Sequence, residues 1–373
     1  MRSGARETRL FVALALLAAP GCTRTNPDFT GGESGTLKDM SQAEHPRDVG
    51  RREAGRPDLR PDQLVNPNKP QGVDVLLVVD NSGGMAYPQQ WLARDVTTLI
   101  KGLDALPGGP NYRIAVTTTD MGVGAYQNAG CSATGDAGQL LVPNSCPKPQ
   151  GNVSYVQRVG NAVNVQGSVD QAVACMIKEQ GSDGCGFEQP LKAMKVALAN
   201  KSFVRSAAAL AVVILTNEDD CSAVSNTLFN PAAATLGPYA SYRCFQFGVL
   251  CNGAQPPLSQ TLIGGCIPGQ QWLHDVQSEY VELLQTIKPK GWVSLLVIAA
   301  PAADPVMVVQ TSNFPPGFTV KQSCEVGLVD GYPGFRLEDL VNRFGAYSGF
   351  ASVCETSYKA GLQGLVLRIQ SAF

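Results

Sequence analysis

Hydrophobic and polar positions along the 373-residue chain fall into two textures, and the change between them comes at residue 73. Residues 73–79 read Val-Asp-Val-Leu-Leu-Val-Val, an aliphatic run broken once, as in a strand buried on both faces. Residues 87–106 then place Trp91, Val96, Leu99, Ile100 and Leu103 at helical spacing and end at Pro107-Gly108-Gly109-Pro110. The same pattern predicts strands at 112–118, 208–216 and 292–300, with helices at 187–199 and 271–287. A helix at 337–344, a short strand at 350–353 and a closing helix at 357–369 complete the series. Strands alternating with helices predict an α/β fold: a Rossmann-like, doubly wound, mostly parallel sheet with helices on both faces. Two insertions rich in Gly, Pro and Cys, near 120–165 and 219–270, interrupt it. Loops of that length are costly unless they are functional or stapled.

Residues 1–21 read as a signal peptide. Arg2, Arg6 and Arg9 precede a short apolar run from Leu10 to Ala19, well under the about 20 residues needed to span a bilayer. The run ends in Ala19-Pro20-Gly21-Cys22, which resembles the lipobox of bacterial lipoproteins, although Ala19 and Pro20 depart from its preferred residues. That resemblance implies cleavage before Cys22 and acyl chains on it; ordinary secretory cleavage nearby is the alternative. Residues 22–72 form the lipidated cysteine and a disordered tether, with six prolines and eight acidic against eight basic residues in 23–72. Such a stretch buries too little apolar surface to offset the entropy of ordering.

Composition narrows the classes further. Lys and Arg number 29 against 31 Asp and Glu, without the basic stripe that nucleic-acid binding requires. Apart from Cys22, ten of the eleven cysteines remain, and an even number in an exported chain favours disulfides. Short spacings suggest Cys131 with Cys146, Cys175 with Cys185, and Cys251 with Cys266. Cys221 with Cys244 and Cys324 with Cys354 then follow by elimination, and the connectivity stays open. No C-x-x-C occurs and the histidines are His45 and His274, so zinc ligand groupings are missing.

The first strand runs into Asp80-Asn81-Ser82-Gly83-Gly84-Met85, at the strand end where doubly wound sheets bind ligands. The turn lacks the G-x-G-x-x-G of a dinucleotide fold and offers oxygens suited to a hard cation. With the 112–116 strand, and with Ile214-Leu215-Thr216 leading into acidic residues, it resembles the von Willebrand factor A (VWA) domain over residues 73–373. The resemblance implies a metal-ion-dependent adhesion site. There a D-x-S-x-S turn, a threonine before a later helix and an aspartate after a central strand hold a divalent cation. The cation's open position takes a partner carboxylate.

Here the third signature residue is Gly84, Cys185 stands in the threonine's place and Asn217 in the aspartate's. The expected metal ligands are therefore Asp80, Ser82 and Asn217, holding Mg2+ or Ca2+ weakly. Either the acids Glu218, Asp219, Asp220 and Asp120 rebuild a cation site at this rim, or they meet a ligand without metal. No G-x-S-x-G occurs, His45 lies in the tether and His274 opens a helix, so no enzymatic relay is expected. The expected function is a lipid-anchored binding module on the outer membrane or a periplasm-facing membrane surface. It would mediate a protein–protein or adhesive interaction with a protein or envelope polymer. The alternative is a structural envelope lipoprotein with an inert, metal-free rim.

Overall fold

A computed structural model describes residues 68–127 and 130–373. The signal peptide, Cys22, His45 and the tether up to residue 67 lie outside the described residues. Seven strands form the central sheet: β1 Val73–Val79, β2 Asn111–Thr118, β3 Val156–Val159, β4 Ala162–Val163, β5 Ala209–Leu215, β6 Val293–Ala299 and β7 Ser348–Ser352. Their spatial order is β7-β6-β5-β1-β2-β3-β4. Strands β7, β6, β5, β1 and β2 pair in parallel, and β3 and β4 add an antiparallel edge. The mostly parallel, doubly wound α/β fold is thus the observed one. Its topological switch point lies at β1, whose neighbours β2 and β5 both follow it in the chain and lie on its opposite sides.

Burial on both faces explains the unbroken apolar text of β1. Val73, Val75, Leu77 and Val79 face one core with helices α1 Ala86–Asp104, α2 Val169–Lys178 and α7 Lys359–Gln370. Leu76 and Val78 face the other, with α3 Pro190–Leu198 and the later helices α5 Glu282–Thr286 and α6 Phe335–Phe344, whereas α4 Tyr242–Gly248 lies in the second insertion. Asp74 is the exception on β1. It is buried and bound by Arg205, whose Nε donates to Oδ1 at 2.7 Å.

Three elements differ from the periodicity. Helix α2, just past the first insertion, is not marked by the periodicity; the Ser168 hydroxyl accepts from the Gln171 amide at its start. The helix expected from 271 begins later, as a π-helical turn Gln277–Val281 leading into α5. Asp275 accepts the Ser278 amide at 2.7 Å, and Leu273 is held back by bridging to Ala223. Strands Val306–Asn313 and Pro316–Val320 form a small sheet with Thr261–Ile263, so the second insertion has a partner in a segment that the pattern left blank.

All ten cysteines after Cys22 are bridged, but two of the suggested pairs are exchanged. The bonds are Cys131–Cys185, Cys146–Cys175, Cys221–Cys244, Cys251–Cys266 and Cys324–Cys354. Sequence proximity misled because the first insertion folds back: Cys131 and Cys185 are 54 residues apart in the chain, with Cα atoms 4.4 Å apart. A loop of that size gains about 4 kcal/mol from closure in the chain-entropy model. Cys131, Cys185, Cys221 and Cys244 join Phe187, Phe229 and Phe247 in a core of their own, so the two insertions pack on each other. No helix among the described residues is long and apolar enough to cross a membrane.

Candidate functional site

The chain leaves β1 at Asp80 and turns at once, because Asp80 Oδ1 accepts the Ser82 amide at 2.7 Å. The Thr216 hydroxyl, at the end of β5, donates to Asp80 Oδ2 at 2.7 Å. Gln89 on α1 donates from Nε2 to the Asp80 carbonyl (2.8 Å) and to the Gly181 carbonyl (2.7 Å), tying the turn to the segment before α3. These contacts join three separate stretches at the switch point, with Asp80 completely buried and Ser82 only 4% exposed.

The acids that sequence reasoning placed at the rim divide by direction. Glu218 faces the Asp80 turn, whereas Asp219 and Asp220 face away from it. Asp219 accepts the Arg336 amide at 3.0 Å and the Leu337 amide at 3.3 Å, fixing the start of α6. Asp220 accepts both Nε and Nη2 of Arg336 at 3.1 Å and the Leu191 amide at 3.1 Å, so it serves α6 and α3. Asp120 organises the first insertion: its Oδ1 accepts the Gly122 amide at 2.9 Å and its carbonyl takes the Asp136 and Ala137 amides. Its neighbour Thr119 approaches the site instead, 3.5 Å from Asp80 Oδ1.

One residue at the turn had escaped the sequence reading. Glu188, just before α3, is 1% exposed and sits among Ser82, Asp80 and Glu218. The resemblance asks for a threonine at Cys185, whereas the signal in the sequence is an acid placed between Phe187 and the first apolar turn of α3. The Ser82 hydroxyl lies near the Asp80 and Glu188 carboxyls, and Glu188 lies near Glu218. Burial pushes all three carboxyls above their ordinary range, Glu218 to about 7, and for Glu188 and Glu218 repulsion from the neighbouring carboxylates adds to it. For Asp80, hydrogen bonds from Ser82 and Thr216 oppose that rise.

The metal pattern of the resemblance fits only in part. Gly84 has φ +92°, a backbone that L side chains rarely adopt, so a third hydroxyl has no comfortable place there. Cys185 is spent in its disulfide. Asn217 donates its amide nitrogen to the Asp330 carbonyl at 2.9 Å, leaving Oδ1 free. Asp80 and Ser82 thus remain as the pattern's own oxygens, and Glu188 and Glu218 supply carboxylates that it does not contain.

Glu218 and Asp219 also line a cleft of about 90 Å³ with Ser241, Tyr242, Phe245 and Tyr332. A larger cavity of about 380 Å³, lined by Leu284, Lys290, Phe344 and Tyr347, sits beside Val293 at the opposite end of the sheet.

No family model matches the sequence, and no curated protein matches it. Among solved structures, the chain is similar to the pilus adhesin SpaC from Lactobacillus rhamnosus GG in its open conformation. That match has 12% identity and a TM-score of 0.37, covering 82% of this chain and 31% of the adhesin. A second form of the same adhesin matches with 12% identity and a TM-score of 0.33, covering 81% of this chain and 31% of that one. The chain therefore spans about a third of the adhesin's length.

Proposed function

We propose that this protein is an exported, lipid-anchored VWA-like binding module that recognises a protein or envelope polymer through the carboxyl-end rim of its sheet, and that it is not an enzyme. The observation that carries this reading is the Asp80–Ser82 turn at the switch point, opening through Glu218 into a cleft walled by Tyr242, Phe245 and Tyr332. Ligands of open α/β sheets bind in that crevice, and aromatic walls over a polar floor are how binding surfaces gain area and orientation together. Five disulfides support an oxidising compartment, and Cys22 accounts for retention at a membrane surface. His274 stands at the α5 side, edge-on to Tyr280, and neither it nor any other histidine joins the cluster among the described residues.

The test compares the full chain with two variants in capture from a cell-envelope extract. Ser241→Arg fills the mouth of the rim cleft, and Lys290→Glu alters the far end of the sheet. The rim variant is expected to lose the captured species and the far-end variant to keep it. Equal capture by both variants would sink the rim as the binding surface and favour the scaffold alternative.

A further inference from the structure

The second insertion and the hairpin that pairs with it are almost without charge. Residues 221–273 and 305–320 hold a single charged side chain, Arg243, in a chain that is 16% charged. The two stretches share a sheet and a core: Thr261–Ile263 pairs with Val306–Asn313, and Tyr242 and Phe245 pack with Val306, Val308 and Phe318. Even the one charge stays inside. Arg243 is 1% exposed, and its guanidinium donates to the carbonyls of Leu228, Asn230, Gly237 and Pro238 at 2.8–3.1 Å. The surfaces of soluble proteins ordinarily hold about 25–35% charged residues, which keep them solvated and apart. A lobe that forgoes them suits a partner without charge, since each ion it carried would be desolvated unpaired on contact.

On this lobe Val249–Cys251 and Cys266–Pro268 form a two-stranded ribbon, pinned by the Cys251–Cys266 bond. Val249 and Cys251 turn into the core, so alternation along the strand turns Leu250 outward, in register with Ile267, which is 60% exposed. This pair and Phe247 line a groove of about 400 Å³ with Gln255, Gln270 and Gln271, and no charged residue lines it. Phe247 is seated against Trp272, with ring centroids 5.1 Å apart, and Gln270 is oriented by donating its amide nitrogen to Asp275. We infer that this groove binds a segment of an uncharged polysaccharide. An apolar strip suits the C–H face of a pyranose ring, and each glutamine amide offers donors and an acceptor to neighbouring hydroxyls. A protein partner fits less well, because the lobe has no charge with which to steer it, fix its register or pair its ions. The inference goes beyond the binding-module reading, since the groove shares no lining residue with the rim cleft.

The experiment applies the labelled full chain to an array printed with neutral glycans, acidic glycans and uncharged peptides, then titrates the best-bound oligosaccharide by calorimetry. At least one neutral glycan should bind with a dissociation constant below about 1 mM, and its sialylated, uronate or sulfated forms should bind no better. Ile267→Glu sets an unpaired charge in the groove at an exposed position and should weaken binding at least about tenfold. Gln255→Ala/Gln271→Ala, at two exposed positions, keeps the apolar strip and should weaken it at least about fivefold. Leu262→Glu, at a 57% exposed position on the lobe's other sheet, and Ser241→Arg in the rim cleft should each change it less than about twofold. Melting curves identify a variant that fails to fold, and the other groove variant then decides.

Neutral glycans all weaker than about 1 mM, a preference for acidic glycans, or binding to the peptides alone overturns the proposal. So does unchanged affinity in a folded groove variant. An equal loss in Leu262→Glu or Ser241→Arg also overturns it, because the groove would then not be the site. The binding-module reading fails separately, through retained capture by Ser241→Arg, whatever the array gives.

Discussion

Arg336→Ala removes the cation that holds the β5 turn to helix α6, and its cost can be worked from the contacts. Arg336 is fully buried, as is Asp220, and Nε and Nη2 each donate to Asp220 Oδ2 at 3.1 Å. Nη1 donates to the Gly269 carbonyl at 3.1 Å and Nη2 to the His274 carbonyl at 2.6 Å. Alanine would leave the carboxylate with the Leu191 amide and Ser222 hydroxyl as donors but no counter-charge, and would leave both carbonyls without that donor. Breaking one side of a buried ion pair costs about 3–5 kcal/mol. With about 2.1 cal/mol/K of unfolding entropy per residue over roughly 300 residues, the melting temperature should fall by about 5–8 °C. Scanning calorimetry with disulfides intact measures this. The double variant Arg336→Ala/Asp220→Ala should cost less than the sum of the singles by more than about 1 kcal/mol. A fall under about 2 °C, or strictly additive costs, would refute the claim that this pair ties the turn to α6.

Four further outcomes are expected. Cys22→Ala should move the protein from the membrane fraction to the soluble one; persistence in the membrane would rule out acylation as the anchor. Denatured without reductant, the exported chain should show no titratable thiol beyond Cys22, and two or more per chain would contradict the five bridges. Burial, and then Asp80, raise Glu218 to about 7, so the folded state holds a proton that the unfolded chain releases near its ordinary 4.5. That contribution favours folding at low pH and is lost as pH rises through about 7. In chelator, Glu218→Gln should therefore raise the melting temperature more at pH 8 than at pH 5; equal shifts would contradict the burial of its charge. Asn217→Asp gives up the donor to the Asp330 carbonyl and adds a fourth carboxylate to the cluster. It should lower ion-free stability by about 1–3 kcal/mol in urea titration, and an unchanged midpoint would show that the amide does not face the cluster.

Residues whose surroundings are dictated by local periodicity were legible in the sequence. The run from Val73 to Val79 announces a strand covered on both faces, because a strand under helices on both sides has no polar side to display. Asp80 and Ser82 follow from it, since ligands gather where parallel strands end. Helices α1, α3 and α7 were found within a few residues of their limits by apolar spacing and Pro-Gly stops.

What the tertiary structure decided depends on contacts between stretches far apart in the chain. Cys131 meets Cys185 and not Cys146, because the first insertion returns over the sheet before α3 begins. Glu188 reaches Ser82 only because α3 starts beside the β1 turn, a proximity that no spacing in the text encodes. Glu218, Asp219 and Asp220 are consecutive and chemically alike, yet Asp219 and Asp220 are committed to Arg336 and the start of α6 while Glu218 is not. Their sequence says that acids gather after β5; the backbone's direction through the turn, set by α6 packing against it, says which of them is left to meet a ligand.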